Sequence, residues 1–380
     1  MPLTTVVSHS FGRATYPLLL PAIKDDILGS NTYAGIGATA IYFAYLMGVT
    51  LVATVSGRFE PITIMRTGIA TTGSGLLVLA VAPNGAVMVM GLVLAGAGGA
   101  GIWITAPLLA TQGVAPHRRG LVIGVLTGSI GVATSSVAMG TRLARSVSGD
   151  QELWRPVYAV EAIIAGVILV VVIVAVRARA TARVPGRPSL AALRSLPSWK
   201  AITAAYVCFG AIAAGYSSFL AEALEEEAGL DRDTVALVYV ALGFSSMIGA
   251  PLTGWASDRF GRRIGMVVVM SSLGVGSMTI ALGSGSLVIA AVILFGGMWS
   301  SYPTLTATYV RDHLDDRTFG SAYGTMTMFY GIVAIVPPSL FGILADATGS
   351  FRIPYFIVAV AACLGLTALS QVVEPARPST

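Results

Sequence analysis

The chain has 380 residues, a net charge of +5 and 55% hydrophobic residues, with only 11% charged and a mean hydropathy of +0.81. A water-soluble domain carries about 25% charged residues, so this composition excludes a soluble globular protein and specifies a polytopic membrane protein. The positive balance is not a nucleic-acid footprint, because the cations gather in loops of one parity.

Twelve apolar runs are long enough to cross about 30 Å of hydrocarbon. They cover 3–23, 33–56, 62–82, 86–111, 120–143, 155–176, 201–222, 235–255, 264–282, 286–309, 320–344 and 352–373. Each is expected to be helical, because an unpaired backbone amide in lipid is too costly. The first run carries no cleavable signal: it lacks a basic n-region and a small-residue cleavage pattern. It holds Arg13 near its middle, within Phe11-Gly12-Arg13-Ala14-Thr15-Tyr16-Pro17. A cation at the bilayer centre costs at least about 2.5–3.5 kcal/mol, so Arg13 should face a cavity or a partner. Guanidinium offers a planar fork for a carboxylate or phosphate. The bland alternative is a structural ion pair with Glu161. His9 precedes Arg13 by four residues and shares its face, where it can titrate near neutral pH and help couple protons.

Spans 4 and 5 are crowded with small residues: Gly96, Gly98, Gly99 and Gly101, then Gly120, Gly124, Gly128 and Gly131. Such residues let helices approach closely in lipid. Glu161 sits inside the outer end of span 6, and buried carboxylates can carry protons. The stretch from Arg177 to Lys200 has six basic residues, three prolines and no acid. It divides the chain into residues 1–177, a basic linker over 178–200, and residues 201–380. Glu222 ends span 7 and leads into Glu225, Glu226 and Glu227, so a solvated rim competes with a proton-carrying role for it. The Pro337-Pro338 pair should kink span 11. Gly342, Asp346 and Gly349 mark a turn at its outer end.

Sixteen lysines and arginines fall in loops of one parity and six in the other, which predicts that both termini are cytoplasmic. The halves also repeat: Ser56-Gly57-Arg58-Phe59 aligns with Ser257-Asp258-Arg259-Phe260, Trp103 and Pro107 with Trp299 and Pro303, and Gly120 and Gly124 with Gly320 and Gly324. All three offsets are close to 200 residues. This predicts duplication of a six-helix unit.

Between spans 8 and 9 lies Gly254-Trp-Ala-Ser-Asp258-Arg259-Phe-Gly261-Arg262-Arg263. The stretch resembles the loop signature of the major facilitator superfamily. That resemblance implies an all-α fold of twelve transmembrane helices in two pseudo-symmetric six-helix bundles. It implies a secondary transporter working by alternating access. It also implies that spans 1, 4, 7 and 10 line a central cavity, which makes Tyr16, Trp103, Tyr216, Trp299 and Tyr302 candidate substrate contacts beside Arg13 and His9. The loop aspartate, Asp258, is expected to meet the start of span 5 near Arg118, Arg119 and Gly120. The twin contact from Gly57 is expected to be absent or weaker.

No phosphate-binding glycine loop, zinc spacing or nucleophile elbow is present, so neither an enzyme nor a cofactor is expected. Without an ATP site, transport must use an ion gradient, exchange or the substrate's own gradient. The expected cargo is a small organic anion such as a monocarboxylate, moved by symport or antiport with protons. The rival cargo is an apolar or cationic compound driven outward. A transport-dead sensor or scaffold is the reading from another class. The expected partners are a small-molecule substrate, protons and the lipid bilayer of a bacterial-type inner membrane, around a monomer that binds no nucleic acid.

Overall fold

A computed structural model of the protein describes residues 1–55, 58–150, 152–176, 188–283 and 286–374, without the side chains of 116–121, 250, 286, 316 and 317. Among the described residues every regular element is helical. The first span, α1, is a continuous run over 2–28 made of four pieces: Pro2–Thr5, Val6–Ala14, Thr15–Ile23 and Lys24–Leu28. Val6–Ala14 and Lys24–Leu28 are wound as π-helix. Pro17 and Pro21 withhold amide donors from the turns behind them, which favours such irregular winding.

The first half continues with α2 (Asn31–Val55), α3 (Pro61–Ala80), α4 (Gly85–Ala110), α5 (Pro116–Ser148) and α6 (Trp154–Ala175). A short helix, Leu190–Arg194, precedes the second half. There α7 is Trp199–Ser218, followed by a short helix Leu220–Glu226, then α8 (Arg232–Phe260) and α9 (Arg262–Ala281). The next span, α10, is interrupted at Ser300 into Ser286–Trp299 and Ser301–His313. Likewise α11 is Asp316–Ala334 and Val336–Thr348, broken just before Pro337-Pro338 as the sequence predicts, and α12 is Arg352–Leu369. Eleven of these helices are long and apolar enough to cross a membrane. The twelfth span is α1, which π-winding divides into shorter pieces.

Polar caps fix where the helices begin. Asn84 accepts from the Val87 amide, Asp231 from the Asp233 and Thr234 amides, and Asp315 from the Thr318 amide. Gly261 separates α8 from α9 at φ +110°, a conformation that side-chain-bearing residues rarely adopt. The glycines of α4 pack against backbone: Gly96 faces the Ile41 carbonyl and Gly98 that of Gly68.

The two six-helix bundles meet most closely at the end that carries Lys24. Lys24 Nζ lies 3.1 Å from Glu222 and 2.8 Å from Glu226. Arg232 reaches Asp25 at 2.5 Å. Asp346 of α11 accepts from the backbone amides of Asn31 and Thr32 at 3.0 and 2.8 Å, capping α2 from the opposite half. Thr39 of α2 pairs with Ser339 at 2.7 Å. Between α5 and α8, Ser135 Oγ donates to the Val240 carbonyl at 2.8 Å, and Gly131 and Gly243 bring the two backbones together.

At the other end, where Gly254–Arg263 lies, the described ion pairs stay within one half. Positions Gly124, Gly254 and Gly324 there have nothing within 4 Å of where a Cβ would stand. Among the described residues the ion pairs that join the two halves therefore gather at the Lys24 end.

One expectation changes. Glu222 is no solvated rim residue: it is 2% exposed, sealed between the halves against Lys24. The neighbouring acids suggest water, but they spend their charge on the cations Lys24 of α1, Arg232 of α8 and Arg352 of α12. Asp258 pairs with Arg262 of its own loop. Its expected seat near Arg118, Arg119 and Gly120 involves side chains outside the described residues, as does the twin position Gly57. Much of the linker, 177–187, lies outside them as well.

The loop has a partner that the motif does not announce. Glu374 accepts from the Arg262 amide at 2.5 Å and the Arg263 amide at 3.0 Å, capping α9 from beyond α12. Arg262 also bonds Asp312 at 2.9 Å, and Arg263 donates to the Ser370 carbonyl at 2.9 Å. A carboxylate at a helix N-terminus is worth about 1 kcal/mol. Glu374→Ala should speed amide hydrogen exchange at Arg262 and Arg263 several-fold while leaving exchange in α4 unchanged.

Candidate functional site

The site grows from the π-wound piece of α1. Wide winding there redistributes backbone carbonyls and turns side chains off the regular helical stripe, a feature that recurs at functional positions. Arg13 is half-buried on this piece. Its guanidinium carbon lies 4.3 Å from the centre of the Tyr42 ring and 5.5 Å from that of Tyr45, both on α2. Tyr330, from α11 in the other half, is a further electrostatic neighbour. Cation–π contact of this kind is attractive where water is scarce.

No ion pair to Glu161 forms. Glu161 of α6 is 2% exposed and accepts from Thr15 Oγ1 at 2.6 Å, while its second carboxylate oxygen has no partner among the described residues. The Tyr158 hydroxyl, buried on the same helix, is likewise unpartnered there. Among the described residues no carboxylate neutralises Arg13; phenol groups surround it. A half-buried guanidinium among phenols, with the Tyr42 and Tyr330 hydroxyls already taking some of its N–H groups, keeps a positive charge that no described carboxylate offsets.

His9 lies one turn earlier. Its Nδ1 is 2.9 Å from Ser8 Oγ, and its ring centre is 4.1 Å from Trp103 of α4 and 6.4 Å from Tyr45. Arg13, His9 and Trp103 are thus brought into one layer. Across from them the second half supplies a run of rings. Tyr330 stacks on Tyr206 of α7 at 5.1 Å, Tyr206 on Phe209 at 6.2 Å, and Phe209 on Tyr302 at 4.7 Å. The hydroxyls of Tyr206 and Tyr323 are 3.2 Å apart, and Tyr323 donates to the Pro303 carbonyl at 3.2 Å.

Other candidates sit in the packing rather than at the layer's surface. Tyr16 is buried and donates to the Ala34 carbonyl at 2.8 Å, pinning α1 to α2. Tyr216 is buried with its ring 3.5 Å from that of Phe295. Tyr302 is buried behind Phe209. Trp299 is half-buried at the interruption of α10. Lys24 and Glu222 form the seal at one end, far along α1 from Arg13.

The residues that sequence reasoning missed are Tyr42, Tyr45, Tyr206, Tyr323 and Tyr330. A faint signal existed: Tyr42 and Tyr45 are three apart on α2, and Tyr323 and Tyr330 seven apart on α11, spacings that put each pair on one helix face. Nothing in the chain says that those faces turn toward α1.

Two membrane-spanning bundles closed at one end around a mid-span layer define the architecture of a secondary transporter. A family model described as "Uncharacterised MFS-type transporter YbfB" matches residues 5–370, and the chain belongs to that family of the major facilitator superfamily. Among curated proteins it is similar to the "Probable sulfoacetate transporter SauU" of Cupriavidus necator, with 28% identity over 177 residues, 43% of this chain and 40% of that protein. It is also similar to the "MFS-type efflux pump LUC4" of Fusarium sp, with 30% identity over 163 residues, 41% of this chain and 27% of that protein. In both matches the chain spans less than half the length of the relative. Among solved structures it resembles a D-xylose-proton symporter at a TM-score of 0.73, 15% identity and 97% and 95% coverage of the two chains. It resembles a bacterial homologue of the lysosomal transporter Spinster, in an inward-facing and occupied conformation, at 0.73, 14% identity, and 99% and 98% coverage. These likenesses extend to the fold.

Proposed function

We propose that this chain moves a small organic anion, such as a monocarboxylate, across a bacterial-type inner membrane by alternating access. Both termini lie in the cytoplasm, so the Lys24 end faces outward. Arg13 is the anion anchor. The observation that carries this reading is a mid-span guanidinium with no neutralising carboxylate among the described residues and a contact, Tyr330, from the opposite half. An anion bound at such a place touches both bundles and can favour their closure around it.

Proton coupling belongs to the same reading. Glu161 bonds to Thr15, two residues from Arg13 on α1, and has one orphan oxygen. A proton taken up there neutralises a buried carboxylate beside the anion-bearing helix. Glu222 is the other carrier in this scheme, while His9, set against the Trp103 ring beside the Arg13 cation, serves the site as a neutral ring.

The test is a panel of organic acids and drug-like cations, screened for thermal stabilisation of the purified protein and of Arg13→Gln. A ligand at a hundred times its Kd stabilises by about 2.7 kcal/mol, enough to read as several degrees. Stabilisation by anions that disappears in Arg13→Gln is the expected result. Stabilisation by cations alone, in both proteins, would favour export of apolar or cationic compounds instead.

A further inference from the structure

The charge count and the walls of the Arg13 layer narrow the cargo further than "organic anion". Among the described ring contacts of this layer one side chain carries a fixed charge, Arg13, seated on the Tyr42 and Tyr45 rings. A dianion in a low-dielectric layer needs a second positive group, because a buried unpaired charge is costly. One guanidinium therefore suits a monoanion.

The rest of the layer is ring surface. On one side stand His9 against Trp103, with Tyr42 and Tyr45 under the guanidinium. On the other, Tyr330 and Tyr206 stack face to face, with Phe209 and Tyr302 behind them. Trp103, Tyr45, Tyr323 and Tyr330 are half-buried rather than sealed, so their surfaces border the layer. The polar atoms of the second wall are partly occupied already: the Tyr206 and Tyr323 hydroxyls pair, and Tyr323 donates to the Pro303 carbonyl. A sugar-like body would find few free hydrogen-bonding groups on this wall, whereas a flat apolar body would find matching faces.

We propose that the Arg13 layer selects aromatic monocarboxylates, with the carboxylate on Arg13 and the ring between the His9–Trp103 pair and Tyr330–Tyr206. This rests on the anion reading above. In it, Tyr330 is the specificity residue: it belongs to the second half yet adjoins Arg13 of the first, so ring contact and anion contact are made together as the halves approach.

Full-length protein in lipid nanodiscs should be titrated by calorimetry with benzoate, propionate, terephthalate and sulfoacetate. Benzoate is expected to bind about tenfold tighter than propionate, the scale of one good ring contact, and tighter than either dianion. Tyr330→Ala should bring benzoate down to the propionate level. Tyr330→Phe, which keeps the ring and is the control for folding, should stay within about threefold of the parent. Arg13→Gln should abolish binding of both monoanions. Arg13-dependent binding with no preference for benzoate, or with a preference for a dianion, overturns the aromatic assignment and leaves the anion reading standing. Failure of the parent protein to bind any of the four overturns both.

Discussion

Replacing Gly131 by alanine should trap the protein open at the Lys24 end and cut transport by more than tenfold without unfolding either half. The added methyl group would lie on the carbonyl of Gly243, closer than real Cβ contacts come. That carbonyl is helix backbone in α8 and cannot swing aside as a side chain does. Gly243 is equally tight from its own side, where a Cβ would meet Ser135 Oγ and the Gly131 carbonyl. The contact exists only while α5 of one bundle presses on α8 of the other. The strain therefore falls on the closed state and not on the fold, so the equilibrium shifts by the full cost of the clash. Overpacking of this kind costs about 1–3 kcal/mol even where neighbours can relax, which is a factor of roughly 5 to 150. Distances between spin labels at the Lys24 ends of α5 and α8 should lengthen in Gly131→Ala. Gly140→Ala, on the same helix with nothing within 4 Å of its Cβ position, is the matched control and should behave as the parent. Normal transport by Gly131→Ala would mean that the α5–α8 contact is not part of the cycle.

Acidification from pH 7 to about pH 5 should favour the state closed at the Lys24 end. Glu222 lies beyond α7, on the short helix Leu220–Glu226, buried between the halves. Burial pushes its carboxyl up from the ordinary value of 4.5 to about 7, more than Lys24 pulls it down, with Glu226 and Glu225 adding to the rise. Tyr16 is the remaining titratable neighbour, and Lys24 itself is shifted upward, outside this pH window. When the halves part, water reaches Glu222 and its pKa returns toward the ordinary value. Between 4.5 and 7 the closed form thus holds a proton that the open form releases. Closure is then stabilised as pH falls through 7, and that contribution is lost as pH rises through 7. With one proton exchanged, the closed-to-open ratio changes by up to about tenfold per pH unit inside the window. The same spin-label distances, measured from pH 5 to 8, should show this slope in the parent. Glu222→Gln should flatten it, since an amide does not titrate. A slope that survives in Glu222→Gln would assign the proton to another group.

How much of this was legible beforehand differs from element to element. The loop Gly254–Arg263 and the run of apolar segments announce the architecture, because hydrocarbon permits few spanning structures. Pro337-Pro338 foretold the break in α11. The chain also singled out Arg13, since a charge among apolar residues is conspicuous in one dimension. It mistook Glu222, whose acidic neighbours look like a solvated rim until Lys24 and Arg232 are seen to face them. It offered Glu161 as a partner for Arg13, whereas the structure gives Glu161 to Thr15.

Sequence by itself therefore determined what hydrophobicity and local chain chemistry can decide: that the protein is a twelve-span membrane protein, where its turns fall, and that one cation must be accommodated at mid-depth. Only the tertiary structure decided which rings surround that cation, that Tyr330 reaches it from the second bundle, that Glu374 caps α9, and which end is shut. Those are relations between residues up to 317 positions apart along the chain, as between Arg13 and Tyr330. They depend on how helices rotate about their axes and which faces meet, and helical periodicity leaves that choice open until the bundles pack.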